Sequence, residues 1–151
     1  MQRTMLKSKI HRARVTDRDT DYVGSLTLDP ELINQADLLP NEQVHVWDVT
    51  NGTRFVTYVI EGEPGSGMVQ VNGAAAHVVR EGDIVIVASF AAYDERDLET
   101  YAPIVVHVNE RNEVLAVDSN PEVLLRGTER LSTGDELSEA FMPGPNPSET
   151  L

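Results

Sequence analysis

The sequence predicts a mainly β protein, a compact barrel of short strands with one or two short helices. Segments rich in Val, Ile and Thr recur through the middle of the chain, and turn-forming residues separate them. Few stretches show a helical period. Many short strands with few helices between them favour a barrel over a doubly wound sheet, which needs a helix after each strand.

The first predicted strand is residues 9–16, in which polar and apolar residues alternate. The other predicted strands, in chain order, are residues 44–49, 54–60, 68–72, 77–80, 83–90 and 103–109. Asn51 and Gly52 lie between two of these segments and predict a tight hairpin turn, because this pair adopts the positive φ angles that such turns need.

One helix is predicted at residues 30–39. Asp29 is a suitable N-cap, and Pro30 fits the first helical position, where a missing N–H has no consequence. The apolar residues that would then share one face are Leu32, Ile33, Ala36 and Leu39. A second short helix is predicted at about residues 94–100.

A chain of 151 residues is long enough for one domain with a sizeable core. We assign residues 1–117 to this domain. Residues 118–151 are polar, acidic and rich in Gly, Pro, Ser and Thr, so we expect a flexible, largely disordered tail. Leu124, Leu125 and Leu131 are the tail residues that could dock on the domain.

The formal net charge of −13 argues against a nucleic acid partner, which requires a basic face. The charge is unevenly placed, because residues 1–16 contain basic side chains and neither Asp nor Glu. Two interpretations stay open: a solvated basic strand, or a local positive potential that attracts an anionic substrate.

The chain contains no cysteine, which excludes disulfides, thiolate metal sites and a cysteine nucleophile. No apolar run has the length of a signal peptide or a membrane span, so we expect a cytoplasmic protein without a membrane partner. His11, His45, His77 and His107 are scattered, and standard metal, phosphate and hydrolase motifs are absent. No metal site is predicted.

The Gly24-Ser25 peptide, within YVGS, indicates a specific chemistry. A Gly-Ser peptide held in a tight turn can be cut by its own serine hydroxyl, because glycine tolerates strained dihedral angles and leaves its carbonyl open to attack. The new N-terminus would carry a pyruvoyl ketone, a cofactor made from the chain. The dipeptide alone is not specific, since Gly65-Ser66 lies among Pro and Gly residues that indicate only a flexible turn.

Lysine is scarce, since Lys7 and Lys9 are the only two in the chain. A pyridoxal enzyme needs a lysine for its cofactor and uses a scaffold that is usually far larger. If this protein performs amine chemistry, its reactive carbonyl must have another source. A pyruvoyl group at position 25 would supply it.

The sequence resembles the bacterial aspartate 1-decarboxylases, which make β-alanine for pantothenate and coenzyme A. The segments that carry the resemblance are RTMLKSKIHRARVT (3–16), YVGS (22–25), TNGTRFVTYVI (50–60), VNGAAAH (71–77) and GDIVIVASF (82–90). They occur in the family's order and spacing, and the resemblance extends to about residue 110. It implies a double-psi β-barrel, a homotetramer with active sites between neighbouring subunits, and a covalent pyruvoyl cofactor derived from Ser25.

The resemblance also implies roles for single residues. Gly24 and Ser25 match the self-cleavage site, and Thr57 matches the residue whose hydrogen bond polarises the Gly24 carbonyl. Arg54 matches the guanidinium that pairs with a substrate carboxylate, a geometry that suits its bidentate fork. Tyr58 matches the proton donor in catalysis.

The rest of the substrate pocket is implied in the same way. Its residues are Asn72, Gly73, Ala74, Ala75, Lys9, His11, Tyr22 and Trp47. Without the resemblance these residues have plainer interpretations. Tyr58 and Trp47 would be ordinary strand and core aromatics, and Asn72-Gly73 would be a hairpin turn.

The implied reaction is the decarboxylation of L-aspartate to β-alanine and CO₂ without a metal. Two alternatives stay open. One is an unprocessed, non-enzymatic barrel that serves as a binding or assembly module. The other is a pyruvoyl decarboxylase for another acidic amino acid, such as glutamate. The sequence also leaves open whether cleavage is spontaneous or requires a maturation factor.

Overall fold

The computed structural model describes residues 1–122. Its strands are β1 (Arg3–Arg14), β2 (Asp17–Asp19), β3 (Ser25–Leu28), β4 (Gln43–Asp48), β5 (Arg54–Glu61), β6 (Val69–Asn72), β7 (Ile84–Tyr93), β8 (Ile104–Val108) and β9 (Val114–Asp118). Within these residues the connections include one α-helix, α1 (Pro30–Gln35), and two 3-10 helices, Gly73–His77 and Asp97–Thr100.

All these strands belong to one mixed sheet, in the order β2-β6-β3-β5-β4-β7-β1-β8-β9. β1 is antiparallel to β7 and parallel to β8, and β3 is antiparallel to β6 and parallel to β5. This architecture, with few helices, is consistent with the double-psi β-barrel that the resemblance implies. The predicted mainly β fold class is confirmed.

Strand β3, which carries Ser25 at its start, is buried along its whole length. Leu26 and Leu28 are completely inaccessible and belong to the hydrophobic core. Burial of such a side chain contributes about 1.5–3 kcal/mol. Because β3 also pairs with strands on both sides, the backbone at Ser25 is fixed by the core of the protein.

The predicted helix begins as expected and ends early. Asp29 caps it, since its Oδ1 accepts a hydrogen bond from the Glu31 N–H at 2.9 Å. The helix ends at Gln35, and Asp37 then adopts a φ of 51°, which the helix cannot continue through. Leu39, which was expected on the buried face, is 68% exposed.

The predicted strand at residues 77–80 is wrong. Residues 73–77 form a 3-10 helix, and the chain after it does not join a ladder. The Arg18 Nη1 holds this stretch by donating to the carbonyls of Ala76 at 3.2 Å and Val79 at 3.3 Å. Val78 is exposed and Val79 is buried, an alternation that imitates a strand without a neighbour to pair with.

Three strands were not predicted: β2, β3 and β9. β3 lacks polar alternation because both of its faces are covered, and β2 is only three residues long. β1 begins at Arg3, six residues before the predicted start at residue 9. The predicted second helix is the short 3-10 helix at Asp97–Thr100.

The predicted tail lies largely outside the described residues. β9 ends at Asp118, the structure continues to Glu122, and the three leucines singled out in the tail lie beyond that point. The assignment of residues 1–117 and 118–151 to a domain and a tail stays a prediction.

Two buried carboxyl groups lie beside each other where β4 meets β7. Asp48 pairs with Val85 in the ladder, so Asp83, two residues before Val85, is its diagonal neighbour. Asp48 is 2% exposed and Asp83 is 6% exposed. Burial raises the pKa of the Asp48 carboxyl to about 6, and the neighbouring Asp83 carboxyl contributes to that shift.

We expect Asp48→Asn to stabilise the protein at pH 8 and to a smaller extent at pH 5. A carboxyl whose pKa is raised by folding favours the folded state when protonated, and that stabilisation is lost progressively as the pH rises from the ordinary pKa of 3.8 through about 6. The Asn amide keeps an acceptor for the Thr50 and Asn51 N–H groups and adds a permanent donor toward Asp83. Thermal unfolding should show a midpoint about 5 °C higher at pH 8.

The matched control is Glu81→Gln, which removes the same charge from a neighbouring exposed position. It should leave the midpoint nearly unchanged at both pH values. An equal gain for both variants would attribute the effect to net charge and contradict the role of the buried pair.

Candidate active site

Ser25 is 1% exposed, and both sides of its hydroxyl are engaged. The Oγ donates a hydrogen bond to the Val23 carbonyl at 3.2 Å and accepts one from the Asn72 Nδ2 at 3.0 Å. Ser25 and Asn72 face each other across the β3–β6 ladder. The hydroxyl that follows the Gly24 carbonyl is therefore held in a defined direction.

The Asn72 amide is at the centre of a chain of hydrogen bonds. Its Nδ2 also donates to the Thr27 Oγ1 at 2.9 Å, and its Oδ1 accepts from the Gln70 Nε2 at 2.7 Å. Sequence reasoning missed both Thr27 and Gln70. Gln70 and Asn72 are the polar residues of an otherwise apolar strand, which was the available signal for Gln70. Thr27 gave none, because β3 was not predicted.

Gly73 is the constrained glycine of the site. Its φ is +69°, and a Cβ there would lie 2.6 Å from the Gly24 Cα and 2.9 Å from the Gly24 N. Gly24 does not have a left-handed φ, and a Cβ on it would meet no atom of residues 1–122 within 4 Å. The expected strain at Gly24 is therefore not found. Asn72-Gly73 is also not a hairpin turn, since β6 passes there into a 3-10 helix.

We expect Gly73→Ala to block or strongly slow the cleavage of the Gly24-Ser25 bond. An alanine with left-handed dihedral angles costs about 1–2 kcal/mol, and its Cβ would also displace the Gly24 backbone. Intact-mass spectrometry over time would measure the cleaved fraction.

The matched control for this variant is Gly82→Ala. Gly82 has a φ of +87° and open space at its Cβ position. The Gly82→Ala protein should therefore lose a similar amount of stability and keep its cleavage rate. Normal cleavage in the Gly73→Ala protein would contradict the importance of this close approach.

Thr57 and Tyr58 lie on β5, which runs parallel to β3 with Val59 opposite Leu26. Extending this register toward the N-terminus sets Tyr58 level with Ser25 and Thr57 level with Gly24. Both side chains are half-buried. Within residues 1–122 neither hydroxyl has a hydrogen-bond partner, so both are available to other groups.

Arg54 and Trp47 form a cross-strand pair between β5 and β4. The Arg54 guanidinium carbon lies 5.1 Å from the centre of the Trp47 ring, a cation–π contact. Arg54 has no acidic partner among residues 1–122. The two side chains line a cavity of about 480 Å³ together with Phe55 and Phe90, among others.

Lys9 and His11 lie on β1, and Lys9 contacts the last described residues of the chain. The Lys9 Nζ donates to the Pro121 carbonyl at 2.9 Å, and burial lowers its pKa while Asp118 opposes that shift. The ring nitrogens of His11 are buried and have no hydrogen-bond partner within residues 1–122. Burial lowers the pKa of His11 to about 4, so the ring is neutral near pH 7. The His11 ring packs edge-on against the His107 ring, with 5.9 Å between the ring centroids.

The remaining predicted pocket residues adjoin the cleavage site. The Tyr22 carbonyl oxygen lies 3.2 Å from the point where a Cβ on Gly73 would be, and Tyr22 is 51% exposed. Ala74 is exposed and Ala75 is half-buried in the 3-10 helix that Gly73 begins.

The structure therefore divides the predicted site residues into separate groups. One lies around Ser25 and Asn72, one pairs Arg54 with Trp47, and one places Lys9 beside His11. Within residues 1–122 no hydrogen bond or ion pair joins these groups to one another.

Two further observations concern other classes of site. Residues 1–122 contain no group of three or more His, Asp or Glu side chains arranged to hold a metal ion. No helix in this part of the chain has the length and apolar character needed to cross a bilayer.

Comparison with known proteins gives one consistent family. The family model described as Aspartate decarboxylase matches residues 1–115. Aspartate 1-decarboxylase of Mycolicibacterium smegmatis is 50% identical over 121 residues, which cover 80% of this chain and 89% of that protein. The protein of the same name from Syntrophotalea carbinolica is 55% identical over 112 residues, 74% of this chain and 86% of that one. The one from Acetivibrio thermocellus is 50% identical over 116 residues, which cover 77% of this chain and 92% of that protein.

Proposed function

The chain belongs to the aspartate decarboxylase family, and from that premise we propose that it converts L-aspartate to β-alanine and CO₂ through a pyruvoyl group made from Ser25. The product is a precursor of pantothenate and coenzyme A. The observation that carries the proposal is the buried Ser25 hydroxyl, which is held by Asn72 directly after the Gly24 carbonyl.

Maturation begins when the Ser25 Oγ attacks the Gly24 carbonyl carbon. The acyl group moves from the Ser25 nitrogen to its oxygen, and the resulting ester eliminates to a Gly24 carboxylate and dehydroalanine. Hydrolysis of the dehydroalanine releases ammonia and leaves the ketone. The Asn72 Nδ2, which donates to Oγ at 3.0 Å, stabilises the negative charge that develops on Oγ during attack, and the hydroxyl proton ends on the Ser25 nitrogen, which leaves as a free amine. We assign Thr57 to the Gly24 carbonyl, because the β3–β5 register sets the two level.

The site fits such a group, because position 25 is buried, Asn72 offers a donor, and Gly73 allows the backbone to approach closely. The pyruvoyl group supplies a ketone that takes up the substrate amine and withdraws the electron pair released when CO₂ leaves. We assign Tyr58 as the residue that returns a proton to the substrate Cα, because the register sets it level with Ser25.

Arg54 is the residue that we assign to a substrate carboxylate. Its guanidinium lies over Trp47 and has no acidic partner within residues 1–122, so its donors are free for a bidentate contact. Fixing the carboxylate orients the bond that breaks. The remaining pocket residues in this proposal are Lys9, His11, Tyr22, Asn72, Gly73, Ala74 and Ala75.

We also propose a homotetramer in which neighbouring copies complete each site. The supporting observations are that no hydrogen bond or ion pair joins the Arg54 or Lys9 group to Ser25 within residues 1–122 and that apolar residues near these groups are exposed. Val23 is 72% exposed and Val56 is 51% exposed. Light scattering coupled to size-exclusion chromatography would give the mass in solution. The cytoplasmic location stays a prediction, and the question whether cleavage needs a maturation factor stays open.

Intact-mass spectrometry together with an amino acid assay tests the function. We expect a 24-residue fragment, a larger fragment that begins with a ketone, and release of β-alanine from aspartate. A protein that stays at full length after prolonged warming, with any accessory factor present, and that makes no β-alanine, would support the unprocessed module instead. Faster turnover of glutamate than of aspartate would support the other acidic substrate.

Deletion of residues 123–151 is expected to leave cleavage and decarboxylation unchanged, because every assigned site residue lies before residue 90. A second variant that lacks residues 119–151 also removes the Pro121 carbonyl that accepts from Lys9. Mass spectrometry and the β-alanine assay, read for both variants, would separate the two segments. Loss of activity on deletion of residues 119–151 would show that the tail is part of the working enzyme.

A further inference from the structure

Gln70 is placed to determine the direction of the Asn72 amide. An asparagine amide has a donor end and an acceptor end of nearly the same shape, so its neighbours decide which end faces which group. The Gln70 Nε2 donates to the Asn72 Oδ1 at 2.7 Å. Because that oxygen is occupied, the Nδ2 end faces Ser25 and Thr27.

The β3–β6 ladder brings these side chains together. Ser25 pairs with Asn72 and Thr27 pairs with Gln70, while Leu26 and its partner lie between them. Since side chains alternate across a strand, the four polar groups share one face and the apolar pair lies on the other. Ser25, Thr27 and Asn72 are each at most 8% exposed, so water does not compete for the hydrogen bonds among these three residues, and Gln70 beside them is half-buried.

We propose that Gln70 is a positioning residue for self-cleavage, which it supports by holding the Asn72 amide with its donor toward the Ser25 hydroxyl. The proposal rests on the proposed function. With the amide reversed, the Asn72 Oδ1 would accept the hydroxyl proton and draw it away from the Val23 carbonyl. The Ser25 Oγ would then lose the donor that stabilises negative charge during attack.

The test is Gln70→Glu, compared with Gln70→Leu. A carboxylate only accepts hydrogen bonds, so the Asn72 amide turns to donate to it and presents Oδ1 to Ser25. We expect cleavage at pH 7.5 to slow by about tenfold, less than the roughly 10²–10³-fold effect of removing a charge-stabilising donor. The leucine variant leaves both amide directions open, so its cleavage rate should lie between those of the wild type and the glutamate variant.

The pH dependence distinguishes positioning from general damage. Below the pKa of the introduced carboxyl, its protonated form again offers a donor, so the Gln70→Glu rate should approach the wild-type rate. Gln35→Glu, at the exposed end of α1, makes the same chemical change far from Ser25 and should not alter the rate at any pH. A Gln70→Glu protein that cleaves normally at pH 7.5, or that shows no recovery at low pH, would overturn the proposal.

A second measurement separates this proposal from the cleavage reaction itself. In the Ser25→Ala background the chain stays intact, and NMR can detect proximity between the Asn72 amide protons and the Thr27 methyl group. That contact should be present with Gln70 and lost in Gln70→Glu. A wild-type chain that never cleaves would contradict the proposed function, whereas an unchanged amide contact would contradict the role of Gln70.

Discussion

Ser25→Ala is expected to abolish cleavage and decarboxylation together. The alanine lacks the oxygen that attacks the Gly24 carbonyl, and no ketone can then form at position 25. The loss should be complete, because no other hydroxyl occupies that position. Mass spectrometry should show only the full-length chain, and the assay should detect no β-alanine.

Ser66→Ala is the matched control, because Gly65-Ser66 is the second Gly-Ser dipeptide of the chain. The Ser66 hydroxyl donates to the Glu63 carbonyl in an exposed turn and has no role in the proposed chemistry. This variant should cleave and turn over normally. A Ser25→Ala protein that still makes β-alanine would refute the pyruvoyl origin of the activity.

Arg54→Lys is expected to lose most decarboxylation while self-cleavage continues. The ammonium keeps the charge and cannot make the planar bidentate contact with a carboxylate. A hydrogen bond to a charged group contributes about 1.5–3 kcal/mol, which corresponds to a roughly 10–100-fold loss in kcat/KM. Cleavage should be nearly unaffected, because maturation uses no substrate.

The control for this variant is Arg111→Lys. Arg111 is an exposed arginine whose Nε donates to Glu113 at 2.8 Å on the surface. It should retain full activity. Near-normal turnover of aspartate by a fully processed Arg54→Ala protein would show that the substrate carboxylate is bound elsewhere.

The alternation of residue types predicted the strands whose two faces differ. β4 alternates between buried and more exposed residues, β5 begins with an alternation of exposed and half-buried residues, and both lie within a residue or so of their predicted bounds. β3 could not be predicted in this way, because all four of its residues are buried and no alternation exists. The wrongly predicted strand at 77–80 shows the converse error. Its exposed and buried valines alternate as in a strand, although no neighbouring strand pairs with them.

The candidate site shows a similar division. The resemblance identified Ser25, Asn72 and Gly73 as neighbours in function, and the structure places Asn72 in contact with Ser25 and Gly73 against the Gly24 backbone. It could not identify Thr27 or Gln70, because their role depends on the register between two strands that lie 45 residues apart at the Thr27–Asn72 contact. Only the folded ladder brings those side chains to one face.

The position of β1 has a consequence for the processed enzyme. β1 lies inside the sheet between β7 and β8, and it comes entirely before Gly24. A cut after Gly24 therefore produces a two-chain molecule that is held together by an interior strand. Its unfolding becomes a dissociation, so its apparent stability should depend on protein concentration, and refolding requires two separate chains to meet. The precursor, in contrast, folds as one chain. After the cut, the two chains can separate on dilution only once the barrel has opened.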